Sequence, residues 1–318
     1  MKTEHNIRLT SSEMGFLWTQ YISDSMAVCV FKHFLEKVED TQIQPVIEFA
    51  LSLSENHVKR ITQIFIDEDI PIPKGFSDED VNVSAPRLYS DTFVLNYIRQ
   101  MSRVGMATSS LALSHAARSD FTDFYTQCLS STAELNNRSG SVLLSKGLFI
   151  RPPFIPKPEK VDFVEKQNFL TGWFGERRPL NAIEITHIFI NSQTNALGKG
   201  LIIGFSQVAQ SKQVREFFVR GREIATKHIE IFRSILTEDN IPSPTTWDSD
   251  ITTSTIPPFS DKLMMFHING IIASGIGNYG VAMAASMRRD LSTHYSRLTV
   301  EVGQYAEDGV NIMIDNGW

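Results

Sequence analysis

The sequence predicts an all-α chain built as two tandem four-helix bundles related by internal duplication. Three observations carry this. The chain matches itself over much of its length, apolar residues recur at the three-four spacing of core-facing helices, and the same start and stop residues punctuate both halves.

Displaced by 171 residues, HVKRITQIFIDEDIPIP at 57–73 falls on HIEIFRSILTEDNIPSP at 228–244. His57 meets His228, Ile64 meets Ile235, Ile70 meets Ile241, and Pro71 and Pro73 meet Pro242 and Pro244. The next loop loses one residue. At a displacement of 170, Ser90-Asp91 meets Ser260-Asp261, Gly105 meets Gly275, Arg118-Ser119-Asp120 meets Arg288-Arg289-Asp290, and Gly147 meets Gly317. Identities spread this widely mark one ancestral unit present twice.

The first helix of each unit opens on a capping box. Thr10 caps, Glu13 reaches back, and Leu9 staples to Met14; Asn181, Glu184, Leu180 and Ile185 repeat the pattern. Leu17, Tyr21, Val28, Phe31, Leu35 and Val38 then form an apolar stripe. The second helix carries Ile43, Ile47, Ala50, Ser54, His57, Ile61 and Ile64, and its copy carries Val214, Phe218, Gly221, Ala225, His228, Phe232 and Ile235, with a histidine mid-stripe both times. Each stops at an IPxP motif, because proline cannot continue a helix. A stretch rich in turn formers leads to a third helix near 88–116 and 258–286, and a short turn to a fourth near 119–146 and 289–316. Short, long, short is the connection pattern of ferritin-like bundles, and it also fits other four-helix topologies. The units are a first repeat at 1–150, a linker at 151–179, and a second repeat at 180–318. Prolines at 152, 153, 156 and 158 exclude a continuous helix in the linker, while Phe163, Phe169, Trp173 and Phe174 predict that it packs against a bundle.

With 42% apolar and 21% charged residues and no long like-charge block, the chain excludes a disordered protein and a polybasic nucleic-acid arm. A polar N-terminus and the absence of a long apolar run predict a cytoplasmic protein with no membrane partner. Cys29 and Cys128 lie in apolar runs and read as buried thiols, and the sequons at Asn82 and Asn137 as chance matches.

The segments LTSSEMGFLWTQYISDSMAVCVFKHFLEKVEDT, IRPPFIP, GWFGERRPLNAIEITH, and WDSD followed by IPPFSDKLMMFH resemble the DUF3231 family over essentially the whole chain. These are uncharacterised proteins of spore-forming bacteria, some labelled as spore-coat proteins. The resemblance implies a ferritin-like fold and a spore association, and supplies no activity.

Ferritin-like carboxylate sites take a Glu from each of two helices and a Glu-x-x-His from each of the other two. The sequence departs from that pattern: Ser54 and Ala225 precede the two histidines by three residues, and the one literal match, Glu184 to His187, sits where Glu184 already caps a helix. Counting from the turns at ~1.5 Å per residue nevertheless places Asp24 level with His57, and Asn195 level with His228. Gly105, Thr108 and Ser131 fall at the same height in the first unit, and Gly275, Asn278 and Glu301 in the second. A glycine opposite each histidine predicts close approach of backbone or of a ligand. Asp24, His57, Asn195, His228 and Glu301 are therefore the candidate metal ligands, with iron, manganese or zinc as the ions such groups take. The competing reading is a buried histidine hydrogen-bonded to Asp or Asn with no ligand.

GIGNYG at 275–280 matches G-x-G-x-x-G but lies mid-helix, which excludes a dinucleotide loop. Lys32 and His33 read as solvated-face residues, and His267 and His294 as packing or surface histidines. No cofactor is expected. The sequence favours a structural or interaction protein with a protein partner, with self-association open, over a metal-binding or oxidase-like protein.

Overall fold

The computed structural model describes residues 7–161, 163–173 and 177–318. Among them lie eight α-helices: α1 Ser11–Lys37, α2 Gln44–Asp67, α3 Asp91–Ser114, α4 Ser119–Ser145, α5 Ala182–Val208, α6 Lys212–Glu238, α7 Asp261–Ala285 and α8 Arg289–Asp315. Single 3-10 turns occur at Asp78–Asp80, Gln167–Leu170 and Asp248–Asp250. The chain is all-helical, with two similar halves of four helices each. No helix among the described residues is long and apolar enough to cross a membrane.

Both capping boxes form. Glu13 N–H donates to Thr10 Oγ1 (3.2 Å) and Thr10 N–H to Glu13 Oε2 (2.9 Å); Glu184 N–H donates to Asn181 Oδ1 (2.9 Å) and Asn181 N–H to Glu184 Oε2 (3.0 Å). Each glutamate does a second task. Glu13 Oε1 accepts from the N–H groups of Ala117 and Arg118, and Glu184 Oε1 from those of Met287 and Arg288, so the start of one helix is tied to the α3–α4 or α7–α8 turn. The repeated Arg-x-Asp closes the same end, Arg118 forking onto Asp120 and Arg288 onto Asp290.

The second helix of each unit ends on a left-handed residue, Asp69 (φ 54°) and Asn240 (φ 57°). The following Ile70 and Ile241 N–H groups then reach back to Phe65 (2.8 Å) and Leu236 (2.9 Å) carbonyls, which satisfies the last turn before the prolines. The fourth helices end at Gly147 (φ 69°) and Gly317 (φ 68°), so the repeated glycine supplies a conformation that side chains disfavour. The third helices start at Asp91 and Asp261, three residues later than their spacing predicts, because Ser90 and Ser260 take the cap position and accept from the N–H groups of Phe93 and Leu263.

The chain divides into two units, Met1–Phe149 with Ile256–Leu263, and Ile150–Thr255 with Met264–Trp318. In the first, α1 packs on α2 and α3 on α4, with α1 beside α3 and α2 beside α4. Leu17, Ile61, Ile64, Phe65, Phe121, Phe124, Tyr125 and Cys128 are buried together there; in the second, Ile188, Phe232, Leu236, Tyr279, Tyr295 and Leu298 are. The segment 256–263, which comes from the second repeat, completes the first unit. Asn82 N–H donates to the Pro258 carbonyl (2.8 Å), Ser260 Oγ donates to Asp80 Oδ1 (2.7 Å), and the Phe259 ring meets His33 at 5.4 Å and Phe34 at 6.5 Å.

Two expectations change. His33 is buried rather than solvated, at 1% exposure, because Phe34 and Phe259 cover it; burial pulls its pKa down to about 4. The α1 stripe is also broader than predicted, taking in Ile22, Met26, Cys29, Val30 and Phe34, while Val38 falls outside the helix as its C-cap. In the linker, Phe163 and Trp173 are 82% and 55% exposed, while Phe169 lies under the Arg178 guanidinium, Gly172 stands against Asp290, and the Trp173 ring lies 5.6 Å from that of His294. Phe174 lies outside the described residues.

Candidate functional site

The first unit brings Asp24 of α1 to His57 of α2, with 3.1 Å between Asp24 Oδ2 and His57 Nδ1. Both are largely buried, at 16% and 14% side-chain exposure. Gln20, one turn before Asp24, lies 3.5 Å from the same nitrogen and points its amide at Cys128 Sγ (3.6 Å). The Phe124 ring closes the pocket edge-on at 6.0 Å. Burial opposes a charge on the imidazole, but the adjacent Asp24 carboxylate and Cys128 outweigh it and lift the His57 pKa to about 10. His57 is therefore an imidazolium at neutral pH, donating Nδ1–H to Asp24.

In the second unit the matching histidine is bonded differently. His228 of α6 is fully buried; its Nδ1 lies 2.9 Å from the Tyr279 hydroxyl and its Nε2 3.2 Å from Glu301 Oε2. Asn195 Nδ2 donates to the same Tyr279 oxygen (2.8 Å), so the tyrosine's own proton goes to His228 Nδ1. That assigns a neutral ring whose Nε2–H donates to Glu301. Burial lowers the His228 pKa and Lys227 and Arg297 add to it, against the pull of Glu301. Burial tends to raise the Glu301 pKa, but Lys227, 2.7 Å from Oε1, and His228 bring it below the ordinary range. The chain Asn195, Tyr279, His228, Glu301, Lys227 passes through the buried tyrosine and histidine to the exposed lysine.

The five residues singled out in the sequence thus fall into two clusters, Asp24 with His57, and Asn195, His228 and Glu301 joined by Tyr279. Five neighbours do not join them. Thr108 is exposed and its hydroxyl turns back onto the Val104 and Gly105 carbonyls; Ser131 does the same to Gln127 and Cys128. Asn278 is passed over in favour of Tyr279, and Gly275 faces open space, with no atom within 4 Å of where a Cβ would stand. Gly105 does answer a close approach, but from the Thr132 methyl group and not from His57. Tyr279 went unrecognised because it sits in GIGNYG, a segment whose glycines read as packing. Its signal was a tyrosine at the height of His228, where the first repeat has Ser109.

The residues present do not fit a di-iron carboxylate centre. Among the described residues no three His, Cys, Asp or Glu side chains come together as a metal ion requires. Glu184 is fully buried in its cap and held by Arg178, and His267 packs edge-on against Phe205.

No curated protein matches the chain. A similar solved structure is that of a "putative spore coat protein" from Bacillus halodurans C-125, with a TM-score of 0.43 and 16% identity, covering 48% of this chain and 98% of that one. The family model described as a protein of unknown function, DUF3231, matches residues 1–161 and again 168–318. The chain belongs to that family, with one copy of its unit in each repeat.

Proposed function

We propose that the chain is a non-catalytic structural or interaction protein, built from two ferritin-like bundles with repeats at 1–150 and 180–318, that acts through its surfaces on a protein partner in the cytoplasm. The spore or stress setting is the one its family resemblance implies. The observation that supports the reading most is His228. Both ring nitrogens are taken up by Tyr279 and Glu301, and Tyr279 by Asn195, so the position most suited to a ligand is closed by the protein's own groups. A histidine that serves as a metal ligand keeps one nitrogen free for the ion and uses the other to fix its tautomer.

The test is elemental analysis of protein purified without chelator, followed by addition of ferrous iron. The structural reading expects iron, manganese and zinc at background and iron oxidation no faster than in buffer. Stoichiometric metal that disappears in His228→Ala or His57→Ala would replace it with the metal-binding reading around Asp24, His57, Asn195, His228 and Glu301.

A further inference from the structure

One charged feature of the first unit is poorly accounted for by the folding. Arg99 and Arg103 lie one turn apart on α3 and are both half-buried. Almost every other arginine that leaves the solvent here meets a carboxylate: Arg87 meets Asp91 and Glu39, Arg118 meets Asp120 and Glu68, Arg178 meets Glu184, and Arg288 meets Asp290. Arg99 and Arg103 meet none among the described residues. Among the described residues Arg103 makes one long bond, to Gln100 Oε1 at 3.4 Å, and the charge that bears on Arg99 is that of Arg103. Each guanidinium carries five N–H donors, so most of ten donors stand without a protein acceptor. Taking two like charges out of water without a counter-ion is unfavourable unless something supplies the missing negative charge.

Arg99 is also held in place. Its guanidinium lies over the Phe149 ring, 4.1 Å from the centroid, and its tip occupies the space where a Cβ on Gly140 would stand. The glycine of α4 and the ring after it form a slot for the planar group, which fixes the direction of its donors. The second repeat has Asn269 and Ala273 at the corresponding positions, so the feature belongs to the first unit alone.

We propose that Arg99 and Arg103 form a binding site for a doubly charged tetrahedral oxyanion, a phosphate either free or as the end of a monoester. Residues one turn apart on a helix have their Cβ atoms ~5–6 Å apart, which lets two arginine side chains present paired donors to one such ion. Their combined charge matches a phosphate dianion, whereas a single carboxylate neutralises half of it. The slot around Arg99 fixes its donors before the ion arrives, which limits the loss of side-chain freedom on binding.

Thermal unfolding and isothermal titration of the full chain, with inorganic phosphate and with O-phosphoserine against chloride at equal ionic strength, test this. The expected result is a saturable rise in Tm of a few degrees and measurable heat at millimolar phosphate or below. Arg103→Gln should weaken binding at least tenfold, and Arg99→Gln/Arg103→Gln should abolish it. Gly140→Ala leaves both charges in place, and the atom it displaces is the flexible tip of Arg99, so the variant should fold and still lose most of the affinity. Tighter binding of O-phosphoserine than of phosphate would identify a monoester as the ligand, and equal binding the free ion. A Tm rise of the same size in the double variant, or no saturable binding to the wild-type chain, overturns the proposal.

Discussion

His57 and His228 occupy one position in the two repeats and carry different charges. In the first unit the carboxylate comes from α1, Asp24, and binds Nδ1 of a ring with some access to water. In the second, the α1 equivalent has become Asn195, the carboxylate comes from the fourth helix as Glu301, where the first repeat has Ser131, and it binds Nε2. Tyr279 takes the nitrogen that Asp24 holds in the first unit. Moving the acid from one helix to another and adding a tyrosine therefore turns a charged pair into a neutral, closed chain. Duplication preserved the place of the histidine and not its chemistry, as expected where the position serves packing and each unit need only satisfy the polar groups it buries.

The units differ most in how they are completed, and Phe259 probes that difference with the largest expected effect. The ring is 3% exposed and lies on His33 and Phe34, although it is encoded in the second repeat. Phe259→Ala should cost about 3–5 kcal/mol, the usual loss for a buried phenylalanine. In proton-detected spectra the His33 signals should shift while those of His228 stay in place. Movement of the His228 signals alone would mean that segment 256–263 belongs energetically to the second unit.

The histidines come next. His228→Ala removes a fully buried ring and leaves the Tyr279 hydroxyl without its acceptor, so about 3 kcal/mol should be lost; His57→Ala, at a partly wet site, should cost about 1–2 kcal/mol. Their pH dependences have opposite signs. The pKa of His57 is raised, so the folded state holds a proton that the unfolded chain releases above 6.5; the pair's stabilisation is complete below that pH and is lost as the pH climbs through about 10. The pKa of His228 is lowered, so below 6.5 the unfolded chain takes up a proton that the folded one refuses, and stability falls as the pH drops. Histidine resonances followed from pH 5 to 8 should show the His57 ring flat as imidazolium and the His228 ring titrating below the ordinary histidine range. A shared titration near 6.5 would sink the contrast.

Much of this fold could be read from the chain because its signals are local. Thr10 with Glu13, Asn181 with Glu184, the IPxP stops and the two terminal glycines each act within a few residues, and each appears where its spacing put it. The pairing of Asp24 with His57 was legible for a related reason: a short turn fixes the register of two antiparallel helices, so counting from it finds residues at one height. Tyr279 and the N–H donors of Ala117 and Arg118 to Glu13 were not legible. They depend on how helices from the far side of the long connection rotate about their axes, which residue counting leaves open. His33 was misread because its cover, Phe259, comes from the other repeat, more than two hundred residues away.

Gly105 and Gly275 give the smallest effect and the finest test of whether the two repeats kept a shared cavity. Alanine within a helix is favoured over glycine by about 0.5–1 kcal/mol. Gly275 faces open space, so Gly275→Ala should gain close to that amount. At Gly105 the new Cβ would lie 2.9 Å from Cγ2 of the buried Thr132, which has to give way, so Gly105→Ala should gain nothing or lose about 1 kcal/mol. Urea unfolding of the two variants measures the difference. Equal gains would mean that Thr132 yields freely and that Gly105 is not needed for the packing of α3 on α4. A loss at Gly275 would mean that something outside the chain stands against it, and the ligand that the repeated glycine first suggested would then have to be sought beside His228.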